Sequence, residues 1–193
     1  MSLTIHESFR VNVPPARAWD FLIDPTRVVT CLPGAELTET VDARTYRGRV
    51  KVKVGPVSTA YDGTATLTEV NEAAHVMRMT GEGREMGAAG SARMKMVATI
   101  SAHPEGGSLI EVDATIDIAG RVMQFGRGLV ESVSRQLFKQ FSDAVRETLE
   151  GEASHEPVAI PDAAPASSPR EMRLLPLVWH AVVELLKRPF RAT

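Results

Sequence analysis

Residues 109–119 read Leu109-Ile110-Glu111-Val112-Asp113-Ala114-Thr115-Ile116-Asp117-Ile118-Ala119, an unbroken alternation of apolar and polar side chains. Successive strand side chains point to opposite faces, so Ile110, Val112, Ala114, Ile116 and Ile118 share one face and the acidic residues the other. This is the mark of an antiparallel strand buried on one side. A few residues later the period changes. Val122, Phe125, Leu129, Val133, Leu137, Phe141, Val145 and Leu149 recur at helical spacing and predict one helix of about seven turns.

Upstream, the same alternation puts Tyr46, Gly48, Val50, Val52 and Val54 on one face and Arg47, Arg49, Lys51 and Lys53 on the other. It also groups Ala92, Met94, Met96, Ala98 and Ile100. Further strands are expected near 4–13, 35–41, 58–70 and 75–83, separated by turn chemistry at Gly55-Pro56, 71–73, 81–90 and 104–107. Pro14-Pro15 and Asp24-Pro25 open two short helices after the first strand. One strand, two short helices, six strands and a long helix make an α+β fold. A seven-stranded antiparallel curved sheet wraps the long C-terminal helix, because only a helix in the sheet's concavity buries both apolar faces.

The chain has 193 residues, 44% of them hydrophobic, which is enough for a core without staples. Its one cysteine, Cys31, cannot form an internal bridge, and the expected location is a reducing cytoplasm. Composition breaks at 151–169, a stretch rich in Ala, Ser and Pro that reads as a flexible linker. Residues 1–169 carry a net charge of −5 and residues 170–193 a net charge of +3. The expected division is therefore a body over 1–150, a linker over 151–169 and a basic amphipathic helix over 170–193.

The order of elements resembles the START-like (SRPBCC) helix-grip superfamily. Leu32-Pro33-Gly34-Ala35, the glycine-rich segment from Gly81-Glu82-Gly83 to Gly90-Ser91-Ala92, and Gly120-Arg121 with Gln124-Phe125-Gly126-Arg127-Gly128-Leu129 resemble the CoxG family of carbon monoxide dehydrogenase. The likeness covers roughly residues 1–150. It implies an accessory role beside a carbon monoxide dehydrogenase or a related molybdenum hydroxylase. The fold alone implies no activity, since helix-grip domains serve as carriers, cyclases, hydrolases and chaperone activators.

On the face expected to meet the helix, Gly48, Gly63, Ala65 and Ala114 are small and Met77, Met79, Met94 and Met96 are pliable. Only 6 Phe, 2 Tyr and 2 Trp are available to fill such a space. Two accounts are open: a methionine-lined cavity for an apolar guest, or bulges and gap filling in an ordinary core. The cavity account gives the ligand-binding set Glu7, Phe9, Tyr46, Gly48, Val50, Gly63, Ala65, Met77, Met79, Met94, Met96, Val112, Ala114, Phe125, Leu129 and Val133. Glu7 is the odd member, because Ile5, Phe9 and Val11 share its parity and an unpaired buried carboxylate is costly. It either hydrogen-bonds a guest, or pairs with a nearby arginine or lies at a rim. The stripe Arg47, Arg49, Lys51 and Lys53 is either a solvated face or a docking surface for an acidic partner.

No catalytic constellation is recognisable. His6, His75, His103, His155 and His180 are scattered without metal-ligand spacing, and no metal, catalytic residue or covalently bound cofactor is expected. Cys31 lacks an activating partner motif and reads as structural. The glycines at 81–90 join two strands, which excludes a phosphate-binding strand-to-helix loop and suggests a flexible hairpin at the cavity mouth.

In the tail, Met172, Leu174, Leu175, Val178, Trp179, Val182, Leu185, Leu186 and Phe190 cover a broad helix face, with Arg173, Lys187 and Arg188 among the polar residues. Leu174 to Leu186 would span about 20 Å, short of the roughly 30 Å hydrocarbon thickness. Such a helix lies in the membrane interface or docks back on the body. The combined expectation is a non-catalytic protein, peripheral on the inner face of the plasma membrane. It would bind a lipophilic molecule, with a respiratory quinone such as menaquinone as the cargo that links the implied enzyme to the respiratory chain. The rivals are a hydrolase or cyclase using Glu7 or Tyr46 as acid or base, and a protein-binding module whose tail is a partner helix.

Overall fold

The computed structural model describes residues 1–155. The element order is β1 (Ser2–Val11), α1 (Pro15–Leu22), α2 (Pro25–Cys31), β2 (Ala35–Thr40), β3 (Thr45–Val54), β4 (Val57–Asn71), β5 (Val76–Glu85), β6 (Ser91–Ala102) and β7 (Ser108–Ala119). A 3₁₀ turn, Arg121–Phe125, then leads into α3 (Gly126–His155). All seven strands form one antiparallel sheet in the order β1-β7-β6-β5-β4-β3-β2. This is the expected α+β arrangement. Proline stands at the start of both short helices, and Asp24 caps α2 by accepting from the Thr26 backbone N–H at 2.9 Å. The Thr26 hydroxyl bond to the same carboxylate holds Asp24 below the usual aspartate range.

Several boundaries differ from the sequence expectation: the first strand, expected near 4–13, runs Ser2–Val11, and three other shifts bear on the site. β5 does not end at Gly83 but continues to Glu85, because Glu85 turns inward and is fixed there. The long helix does not start at Val122. A 3₁₀ turn intervenes and shifts the phase, so Val130 is buried while Leu129 is 37% exposed. The linker does not start at Gly151, since α3 runs to His155. The helix end is held by Glu150, which accepts from the Asn12 backbone N–H at 2.9 Å, and by Glu152, which binds Arg27 at 2.7 Å. The remainder of the linker and the tail residues 170–193 lie outside the described residues.

Two hydrophobic clusters hold α3 to the sheet. The larger contains Phe9, Val11, Trp19, Phe21, Met77, Ala98, Ile100, Ile110, Val145 and Leu149, with Phe138 and Phe141 packed against it. Phe9 meets Phe138 and Phe141 edge to face at centroid distances of 5.8 and 6.1 Å, worth about 0.5–1.5 kcal/mol per pair beyond burial. The smaller contains Leu3, Val54, Val122 and Val130, with Ile5, Val52, Ile118, Phe125 and Val133 beside it. The clusters share no residue. Cys31 is buried in the larger one, in accord with a structural thiol.

Candidate ligand-binding site

The strand registers order the helix-facing side chains into rows across the sheet. One row runs Tyr46, Ala65, Gly81, Met94 and Ile116. The next runs Gly48, Gly63, Gly83 and Ala92. All nine are half-buried, whereas the flanking Met77, Ala98 and Val112 are buried. These rows lie between the two clusters, and six of their nine positions carry only glycine or alanine. Gly81 and Gly83, where the expected strand over 75–83 and the expected turn over 81–90 overlap, belong to the strand face.

The expected ligand-binding residues separate into groups. Tyr46, Gly48, Val50, Gly63, Ala65, Met79, Met94 and Met96 lie on the uncovered part of this face or border it, and Val50 is 39% exposed. Phe9, Met77 and Val112 are members of the larger core, and Ala114 is buried on the same face. Phe125 and Val133 pack against the smaller core, and Leu129 is at its exposed margin. Glu7 is half-buried opposite Val112 and has no hydrogen bond or ion pair among the described residues. The Tyr46 hydroxyl donates to the Ala43 carbonyl at 2.8 Å, so it is engaged with the β2–β3 turn.

The face away from α3 is polar. A shallow groove of about 680 Å³ there is lined by Arg47, Arg49, Asp62, Thr64, Glu82 and Arg93, among others. Arg47 pairs with Glu39 and Arg49 with Asp62, each at 2.8 Å. The basic stripe read from the sequence is thus half neutralised by its neighbours, leaving Lys51 and Lys53 exposed without an ion pair among the described residues. His6 pairs with Asp113 on this outer face. Among the described residues no group of three or more His, Cys, Asp or Glu side chains could hold a metal ion.

The glycine-marked segments 81–92 and 120–129 meet at one end of the inner face. The Glu85 side chain is fully buried. Its Oε1 accepts from the Thr59 hydroxyl at 2.8 Å and from Arg121 Nη2 at 2.9 Å, while Oε2 has no partner among the described residues. Gly90 and Gly120 press on this carboxylate: a Cβ on Gly90 would lie 2.0 Å from Oε2, and one on Gly120 would lie 2.6 Å from Gly90 Cα. Glu85 therefore clasps the β5–β6 turn and the start of the 3₁₀ turn to β4.

The family model of carbon monoxide dehydrogenase CoxG matches residues 8–150, well over half of the sequence and inclusive of both glycine-marked segments. The chain belongs to the CoxG family. Membership supports, in general, an accessory role beside carbon monoxide dehydrogenase. No curated protein matches this CoxG-family chain. Among solved structures, a conserved protein from Geobacillus kaustophilus is similar at 16% identity with TM-score 0.70, covering 78% of this chain and 97% of that one. The ZhuI aromatase/cyclase from Streptomyces sp. R1128 is similar at 13% identity with TM-score 0.58, covering 79% and 96%. A protein from Thermus thermophilus is similar at 13% identity with TM-score 0.56, covering 78% and 99%. At these identities the likeness shows the helix-grip fold alone. No described helix is long and apolar enough to cross a membrane.

Sequence reasoning missed Tyr61, Gly81 and Glu85. Each shares strand parity with residues that were recognised, so extending the alternation through 61 and 85 is the signal that finds them. Burial and the nearby Glu85 carboxylate push the Tyr61 hydroxyl pKa up. The Thr59 hydroxyl and the Arg121 guanidinium hold Glu85 below the ordinary glutamate value of 4.5. A lowered folded-state pKa stabilises the protein above the unfolded value, and that contribution is lost as pH falls through the folded value. Acid titration of thermal stability is expected to show a loss below pH 4.5 that is smaller in Glu85→Gln. Parallel curves for the two proteins would remove Glu85 from the account.

Proposed function

We propose that this CoxG-family protein is a non-catalytic accessory protein of a carbon monoxide dehydrogenase-type molybdenum hydroxylase. It holds a lipophilic molecule, a respiratory quinone such as menaquinone, between α3 and the sheet and brings enzyme and quinone together at the inner face of the cytoplasmic membrane. The observation that carries this reading is the half-buried field of Gly, Ala and Met between two separate cores. A flat ring or isoprenoid chain buries apolar surface there at roughly 25 cal/mol per Å², and methionine side chains adjust to it. No cofactor is bound covalently in this scheme. The electrons come from the partner enzyme, so the domain needs only to hold and release its cargo.

The sequence of residues 170–193 supports the membrane half of the proposal. Basic residues contribute about 1 kcal/mol each on anionic lipid, and Trp179 suits the interfacial depth. A linker of about 15 residues has a typical reach near 20 Å, enough to let the body turn toward a partner while the tail stays on lipid.

Organic extraction of the full chain purified from its own host is expected to yield quinone, and the emptied protein is expected to take quinone up from detergent and from vesicles. The Trp179→Glu/Leu185→Glu variant should keep uptake from detergent and float markedly less than wild type with anionic vesicles. Absence of quinone from both the extract and the uptake assay would defeat the cargo reading; flotation of the variant equal to wild type would defeat the tail reading.

A further inference from the structure

Three connections meet at the end of the domain that carries the smaller core. They are the β3–β4 turn at Gly55-Pro56, the β5–β6 turn over 86–90, and the 3₁₀ turn. Their joining is direct: the Met86 backbone N–H donates to the Ala60 carbonyl at 2.8 Å, and Glu85 binds both Thr59 and Arg121. Leu129 Cδ2 lies 3.6 Å from where a Cβ on Gly55 would stand.

Large apolar side chains face solvent at this end. Met86 is 45% exposed, Met123 43% and Leu129 37%. Val50, 39% exposed, leads from this end toward the glycine and alanine rows of the inner face. Cations flank the apolar group. Lys53 is exposed and has no ion pair among the described residues, and the Arg121 side chain is 57% exposed although it pairs with Glu85. Exposed methionine and leucine at these adjoining connections, rimmed by cations, suit an anionic lipid surface: the apolar tips enter the headgroup boundary and the cations stay at phosphate level.

We propose that this end of the body is a second lipid-contacting surface, separate from the 170–193 tail. It sets the β3 side of the inner face, beside Val50, against the bilayer, so that a lipophilic guest passes between membrane and interior without crossing water. The inference rests on the cargo reading for its purpose, while the contact itself stands on the exposed side chains alone. The Glu85 clasp gives it a rigid base, since β4, the β5–β6 turn and the 3₁₀ turn move as one unit.

The test uses the full chain with a single introduced thiol carrying an environment-sensitive nitrobenzoxadiazole dye; the native Cys31 is buried and leaves the new thiol accessible. Met123→Cys places the dye at the proposed contact, and Lys95→Cys places it on the outer sheet face as a control. On vesicles of equal parts phosphatidylcholine and phosphatidylglycerol, the dye at 123 is expected to brighten about twofold and to be quenched by nitroxide lipid, as interfacial burial requires, while the dye at 95 is unchanged. In parallel, Met86→Ser/Met123→Ser should slow quinone uptake from vesicles about tenfold and leave uptake from detergent unaltered. Equal responses at the two dye positions would overturn the proposal. So would a response at 123 to the dehydrogenase but not to vesicles, which would mark a protein interface. Loss of detergent uptake by wild type would instead strike the cargo reading and leave the dye result to decide the lipid contact.

Discussion

Gly81→Leu is expected to leave the protein folded and to weaken quinone uptake at least tenfold, or about 1.4 kcal/mol. Gly81 lies in the middle of β5, in the row of Tyr46, Ala65, Met94 and Ile116. A Cβ there would meet only Met94 Cε at 3.5 Å and Met94 Cβ at 3.7 Å, ordinary contacts with a flexible side chain. Removing glycine from a strand interior also reduces unfolded-state entropy by roughly 0.5–1 kcal/mol, which favours folding. The leucine side chain therefore occupies the space assigned to the guest at little structural cost. Urea unfolding should show an unchanged or higher midpoint, and uptake from detergent should fall. A folded Gly81→Leu protein that loads like wild type would show that the guest does not sit over this row.

In the adjoining row the opposite result is expected. Gly63→Ala should destabilise the protein by about 3 kcal/mol, a large share of the roughly 5–15 kcal/mol typical of a domain. Gly63 pairs with Gly48 on one side and Gly83 on the other. A Cβ on it would stand 2.4 Å from the Glu82 carbonyl oxygen and 3.1 Å from Gly83 Cα. Both are backbone atoms of the adjoining strand, so the methyl cannot be accommodated by a side-chain rotation and β4 must part from β5. The measurement is the urea midpoint of Gly63→Ala beside Gly81→Ala, with the second near wild type. Equal midpoints would mean that the β5 backbone does not crowd Gly63 this closely.

These two glycines show how far the sequence could be read. Period-two alternation located all seven strands and sorted helix-facing from solvent-facing residues at Gly48, Gly63, Ala65 and Met94, because each strand is buried on one side only. It failed where residue identity misled. Glycines at 81, 83, 87 and 90 resemble a loop by composition, so the expected strand over 75–83 and turn over 81–90 overlap at the first two, which are strand residues on the helix-facing rows. The buried Glu85 was invisible for a related reason, since its setting depends on Thr59 and Arg121, distant in sequence. The helical stripe was right in kind and wrong in phase at its start. A 3₁₀ segment advances by three residues per turn, so a stripe drawn through it as an α-helix exposes Leu129 and overlooks Val130.

The division of the hydrophobic interior has a dynamic consequence. The domain is pinned at two fulcrums, and the lesser one involves few side chains. Its loosening is a local event that leaves the greater one, and with it the native chain, intact. For the proposed carrier this makes the helix side of that end the cheapest place to part: α3 lifts there while the strands and the 3₁₀ turn stay clasped through Glu85.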